Sequence, residues 1–188
     1  IGTNFSGCDL SSAVLARAFC KEADFSGARM SGADLSACLL HQARLAKARL
    51  DGARCETTLF AEAECGGADF TRADLTRCLF EKAGLEGAVL AGAKTPRATF
   101  KEARLAGAGF AHSDLSDAIF IGCDLAGLDL SGLPLRRAAF LECRGEGAGF
   151  EGADMERARF LQGCDLPGAR FAGARLAKAS FSGCKFPG

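Results

Sequence analysis

The chain has 188 residues, with 23 basic side chains against 23 acidic ones, and neither Trp nor Tyr. Balanced charge without like-charged blocks argues against a basic nucleic-acid-binding surface and against a charged tail. No apolar run is long enough to cross a membrane as a helix, and no signal peptide opens the chain, so neither an integral membrane protein nor a secreted one is expected.

A five-residue rhythm organises the chain. It is clearest from Ala23 to Ser36, A-D-F-S-G-A-R-M-S-G-A-D-L-S. A small residue comes first (Ala23, Ala28, Ala33), then a polar one (Asp24, Arg29, Asp34), then a large apolar one (Phe25, Met30, Leu35). We call the large apolar position the centre. Centres recur at every fifth residue from Phe5 to Phe160, and after one inserted residue they resume at Leu166, Phe171, Leu176, Phe181 and Phe186. Fourteen of the 15 Phe are centres, and only Phe19 is not. A period of five fits neither an amphipathic helix nor a half-buried strand, and a fixed repeat of this kind marks a solenoid.

The rhythm resembles that of the pentapeptide-repeat proteins, whose pattern is A-[DN]-[LF]-[STR]-[GX]. About 37 copies, interrupted by one slip, carry the resemblance over the whole chain. It implies an all-β fold, a right-handed quadrilateral parallel β-helix of about nine coils. Each pentapeptide makes one side and twenty residues make one coil. Centres and small residues point inward, and the rest point outward. Residues 1–188 are expected to form one such domain, a rod ~40–45 Å long at the ~4.8 Å strand spacing. The chain starts at Ile1 rather than Met, so a piece of a longer protein is expected.

Steps of twenty sort the outward residues onto four sides. Two of the sides alternate in sign, as in Asp24, Arg44, Glu64 and in Asp34, Arg54, Asp74, Lys94. Neighbouring coils then meet as opposite charges. A third side carries Phe19, Leu39, Leu59, Leu79, Thr99, Ile119 and Ala139. This is an apolar strip of a length that soluble monomers seldom expose. The corners before it hold Arg17, Arg77, Arg97, Arg137, Arg157 and Lys178; those after it hold Glu22, Glu62, Glu102 and Glu142, interrupted by Lys82. An apolar middle with a charged rim is the anatomy of a protein interface. Other corners are mostly Gly, which permits the positive φ of a type II turn; a different corner is expected where Arg stands.

Three irregularities stand out. Thr95–Pro96 places a hydroxyl at a centre and is expected to weaken local pairing. Gly145 leaves a centre empty one coil after Leu128 and Leu133 fill small positions, and those extra carbons are expected to occupy the vacated space. The extra residue within 161–165 is expected to form a bulge.

Ten Cys fall on centres (Cys20, Cys55, Cys65) or small positions (Cys8, Cys38, Cys78, Cys123, Cys143, Cys164, Cys184), so all are expected inside as inert thiols in a reducing, cytoplasmic setting. His41 and His112 lie on different sides, and no nucleophile elbow, phosphate loop or H-E-x-x-H motif is present. No enzyme activity, cofactor, metal, small-molecule substrate or nucleic-acid partner is expected. The expected function is a protein-interaction scaffold that binds a different protein or a second copy through Phe19, Leu39, Leu59, Leu79 and Ile119 with the Arg border. The resemblance also implies two settings: C-terminal modules of bacterial secretion-associated proteins, and DNA mimics that bind DNA gyrase and protect it from quinolones. The mimic needs a strongly acidic surface, and the alternating signs here cancel beyond the Debye length of ~8 Å.

Overall fold

In the computed structural model, which describes residues 2–188, the five-residue period becomes a parallel β-solenoid with no helix. Six short strands are regular: β1 (Leu79–Glu81), β2 (Thr99–Lys101), β3 (Ile119–Ile121), β4 (Ala139–Leu141), β5 (Arg159–Leu161) and β6 (Ser180–Phe181). They pair in parallel in chain order, with Phe80 beside Phe100, Phe100 beside Phe120 and Phe120 beside Phe140. Single bridges continue the same climb on all four sides, from Asn4↔Asp24 at one end to Asp165↔Lys185 at the other. The strands alone trace about five turns; the expected nine are reached when the bridged coils are counted. The step from Arg144 to Asp165 is one residue longer than its neighbours, so the register absorbs the insertion.

Centres and small residues form the core along most of the length, with Phe25, Phe60, Phe80, Phe100, Phe120 and Phe140 wholly buried. Consecutive coils place Phe rings face over face. Phe80–Phe100, Phe100–Phe120 and Phe120–Phe140 have centroids 5.1, 4.9 and 5.0 Å apart. Each ring excludes water and gains stacking of about 0.5–1.5 kcal/mol beyond its burial.

The corners correct one expectation. Arg17, Arg77, Arg97, Arg137 and Arg157 have φ of 62, 59, 60, 56 and 60°, close to the 65° of Gly27 and 64° of Gly87. The same left-handed turn is made at Arg and Gly corners alike. The ladder imposes it, at a backbone cost that Gly avoids.

The ladder weakens at one bond beside Thr95–Pro96, as expected: Arg97 N–H lacks the bond to the Ser116 carbonyl that the row pattern of Arg77 on Pro96 and Asp117 on Arg136 calls for, while the flanking bonds form. Thr95 N–H reaches the Asp114 carbonyl at 3.0 Å, its hydroxyl donates to the same oxygen at 2.8 Å, and the Pro96 carbonyl accepts from Arg77 N–H at 3.0 Å. Pro96 occupies the first corner position, where its fixed φ suits a type II turn and its missing N–H leaves no ladder bond unmade. The thiols also need one correction. Cys8 is exposed because it lies in the first coil, with another coil on one side only. Cys20, Cys38, Cys55, Cys65, Cys78, Cys123, Cys143 and Cys164 are buried and Cys184 partly so. Burial pushes Cys123 up to about 11 and raises Cys55, Cys65 and Cys78 as well.

Gly145 is held close to the preceding coil. Its φ of 137° would aim a Cβ into that coil, 2.3 Å from Ala126 N and 2.7 Å from the Leu125 carbonyl carbon. On its other flank the coil of Leu128 and Leu133 has parted from the coil before it. No Arg104–Asp124 or Gly109–Asp129 bridge forms, although the bridges directly before and after these sites do.

Candidate functional site

The sides sort as the twenty-residue step requires. Phe19 bridges Leu39, Leu39 bridges Leu59, and Leu59 bridges Leu79; β1–β4 carry the column on through Thr99 and Ile119 to Ala139. The alternation of strand side chains turns this column outward while Leu40, Phe60 and Phe80 turn in. Phe19 is 60% and Leu59 38% exposed; Leu39, Leu79 and Ile119 are half-buried by their own column neighbours, and Ala139 is buried.

A second apolar row runs beside the first. Ile121, Leu141 and Leu161 follow their centres, pair in register and are half-buried. Sequence reasoning missed them because it took the residue after a centre to be polar. Reading that position in steps of twenty (Glu81, Lys101, Ile121, Leu141, Leu161) exposes the change from charged to apolar.

The Arg border is uneven. Asp117 sits in the same corner row and takes two hydrogen bonds from Arg137, both 2.7 Å. That fork holds the Asp117 carboxyl below the usual carboxylate range. Around it Arg97, Arg157 and Arg159 join Ile119 in lining a shallow depression of about 440 Å³. One carboxylate among four guanidiniums leaves this part of the border net positive. Arg77 and Arg17 occupy the same row at coils further down. The opposite border is mixed: Gln42 donates to Glu62 at 2.9 Å and Lys82 lies 4.0 Å from Glu102.

Elsewhere parts of the alternating columns form ion pairs. Arg29–Asp9, Arg44–Asp24 and Arg54–Asp34 lie at 3.0, 3.3 and 3.6 Å. Arg104 reaches both Glu64 and Glu86, and Arg170 reaches Glu151. Such exposed pairs contribute little stability, but they neutralise the field on these sides. Asp9 is lowered to about 2, chiefly by hydrogen bonds from Ser11 and then by Arg29. Among the described residues no three His, Cys, Asp or Glu groups are placed to hold a metal. Among the same residues no helix is long and apolar enough to cross a membrane.

Family models for pentapeptide repeats match residues 3–42, 38–77 and 161–188, and one for a pentapeptide repeat region matches 93–163. The chain belongs to the pentapeptide repeat family. No curated protein matches it. Among solved structures, this family member is similar to HetL of the cyanobacterium Nostoc, a pentapeptide repeat protein involved in heterocyst differentiation regulation: 27% identity, 99% of this chain, 90% of that one and a TM-score of 0.48. QnrB1, a plasmid-mediated fluoroquinolone resistance protein, has 16% identity, 87% and 89% coverage, and a TM-score of 0.49. A pentapeptide repeat protein of the Arabidopsis thaliana thylakoid lumen has 25% identity, 72% and 70% coverage, and a TM-score of 0.38.

Proposed function

We propose that this pentapeptide repeat protein is a non-catalytic interaction module that recognises a protein surface, of another chain or of a second copy, through the face carrying Phe19, Leu39, Leu59, Leu79 and Ile119. The observation that carries this reading is the in-register column of these side chains, open to water on a wall whose neighbours are charged. Desolvating such a strip supplies affinity, while the Arg97, Arg137, Arg157 and Arg159 edge selects a partner with an acidic rim beside its apolar patch. The buried, unpaired thiols suit a reducing compartment, and we place the module in the cytoplasm on that basis. The ion-paired flanks weigh against a DNA mimic directed at gyrase, because such a mimic presents unpaired acid.

The test compares the wild-type chain with Leu39→Glu and Leu79→Glu by sedimentation velocity over a concentration series, alongside partner capture. Both substitutions point outward and leave the coil intact. Each is expected to weaken association at least tenfold, about 1.4 kcal/mol. A monomeric wild type whose captured partners are unchanged by either substitution would overturn the reading.

A further inference from the structure

The parted coils present a site on a different part of the molecule. Closed steps of the solenoid carry three backbone hydrogen bonds per side. One step earlier, for example, Leu85 N–H donates to the Arg104 carbonyl at 2.9 Å, Gly87 N–H to Ala106 at 2.9 Å, and Ala83 C=O accepts from Arg104 N–H at 3.0 Å. The following step is closed too, with Leu125 N–H on the Arg144 carbonyl at 2.7 Å and Leu130 N–H on the Gly149 carbonyl at 2.8 Å. Between residues 103–112 and residues 124–131 none of these bonds forms on either side. The gap is a wedge. It is shut at one flank by Glu102 N–H on the Ile121 carbonyl (2.7 Å), and at the other by Leu115 N–H on Pro134 (3.0 Å) and Asp117 N–H on Arg136 (2.8 Å).

The sequence explains the position of the wedge. Leu128 and Leu133 stand where the coil before has Ala108 and Ser113 and the coil after has Ala148 and Ala153. The extra carbons overfill that layer. Gly145 lets the layer settle against the following coil, and the crowding is relieved by parting from the preceding one. A cleft of about 630 Å³ results, lined by Ala108–His112, Asp129 and Ser131–Pro134. A smaller one of about 340 Å³ lies on the adjoining side by Ala103–Ala106, Asp124 and Ala126.

Both lips are rows of backbone groups without a protein partner. One offers the N–H groups of Leu105, Gly107, Phe110 and His112 and the carbonyls of Ala103 and Ala108. The facing lip offers the carbonyls of Asp124, Ala126, Asp129 and Ser131 and the N–H groups of Asp124 and Asp129. Donors and acceptors at strand spacing on two facing edges are matched by another polypeptide backbone. Behind the lips lie Phe110 and Leu133, buried at 1% and 5% exposure, so an entering strand reaches them only as the lips move apart.

We propose that this cleft accepts an extended peptide segment of another protein as an added strand. The segment lies parallel to the lips and bonds to both of them. It turns a small and a large apolar residue inward in every five, and it holds the lips about two strand spacings, ~9.6 Å, apart. The site does not depend on the Phe19–Ile119 face, so failure of one leaves the other standing.

A suitable probe is a synthetic peptide copying Ala83–Gly92, the stretch that pairs with residues 104–111 in the closed step below. Its Leu85 and Leu90 would face inward. Titrated into the whole chain, it is expected to bind saturably and to slow amide exchange at Leu105, Gly107, Phe110 and His112 at least tenfold. The same peptide with Leu85→Asp and Leu90→Asp should not bind. A chain carrying Leu128→Ala and Leu133→Ala should close the ladder and lose binding, and Leu39→Glu should bind normally. Absence of saturation at millimolar peptide would overturn the proposal. So would equal binding of the Asp-substituted peptide, protection confined to residues outside 103–112 and 124–131, or growth of higher oligomers showing that a second copy fills the cleft. If the double variant fails to fold, the wild-type exchange pattern and the Asp-substituted peptide decide the matter alone.

Discussion

The same coils are sealed along one wall and parted along two others. From β2 through β3 to β4 the strands pair in register and the Phe100, Phe120 and Phe140 rings stack about one strand spacing apart. Past the corner at Glu102, the coil holding Leu105 and Phe110 loses its backbone bonds to the coil holding Leu125 and Leu130. Repeat rhythm is equal on all these walls. What differs is the volume at small positions around the gap: Ala118 and Ala138 on the sealed wall, against Leu128 on one parted wall and Leu133 at the corner that bounds it. The wall that stays sealed is also the one that carries the apolar face.

The largest expected effect comes from the sealed wall. Phe120→Ala removes a wholly buried ring from the middle of the stack and should cost about 3–5 kcal/mol in urea unfolding. A cost below 1 kcal/mol would mean that the stack does not hold the coils. Leu128→Ala with Leu133→Ala tests the parted walls. Two buried Leu→Ala changes ordinarily cost about 2–5 kcal/mol each. Here the recovered ladder should offset much of that, so the pair should cost less than Leu130→Ala and Leu135→Ala together. The corners give a smaller effect of opposite sign. Arg77→Gly should stabilise by about 1 kcal/mol, since Gly adopts φ near 59° without strain, whereas Gly87→Ala should destabilise by a similar amount. Asp117 gives the smallest. Its folded pKa is depressed by Arg137, so its contribution is fully present above the unfolded value of ~3.9 and is lost as pH falls through the lower folded value. With both partners largely solvated, Asp117→Asn should flatten the acid limb of stability against pH by no more than about 0.5 kcal/mol.

Much of this was legible in the residues. A period of five that closes after four sides puts Phe19, Leu39, Leu59 and Leu79 in one column, and it pairs Asp24 with Arg44 and Asp34 with Arg54 before any coordinate is known. Three things were not legible. The second row of Ile121, Leu141 and Leu161 was hidden by the expectation of a polar residue directly after each centre. The Arg corners were misjudged because positive φ was tied to Gly, whereas the ladder on either side dictates the turn whatever residue stands there. Most important, pairing was expected to weaken at Thr95–Pro96 and does so by one bond at Arg97, but the larger loss lies beside Leu128 and Leu133, where none was expected. A proline at a corner disturbs a single bond, while surplus carbon inside the coil has nowhere to go.

Site-resolved amide exchange on the unliganded chain addresses the contrast between sealed and parted walls most directly. The amides of Leu105, Gly107, Phe110 and His112 should exchange at least a hundredfold faster than those of Leu85, Gly87, Leu90 and Gly92, their counterparts one coil earlier. Equal protection of the two sets would show the ladder to be continuous, and would contradict both the account of Leu128 and Leu133 and the cleft that follows from it.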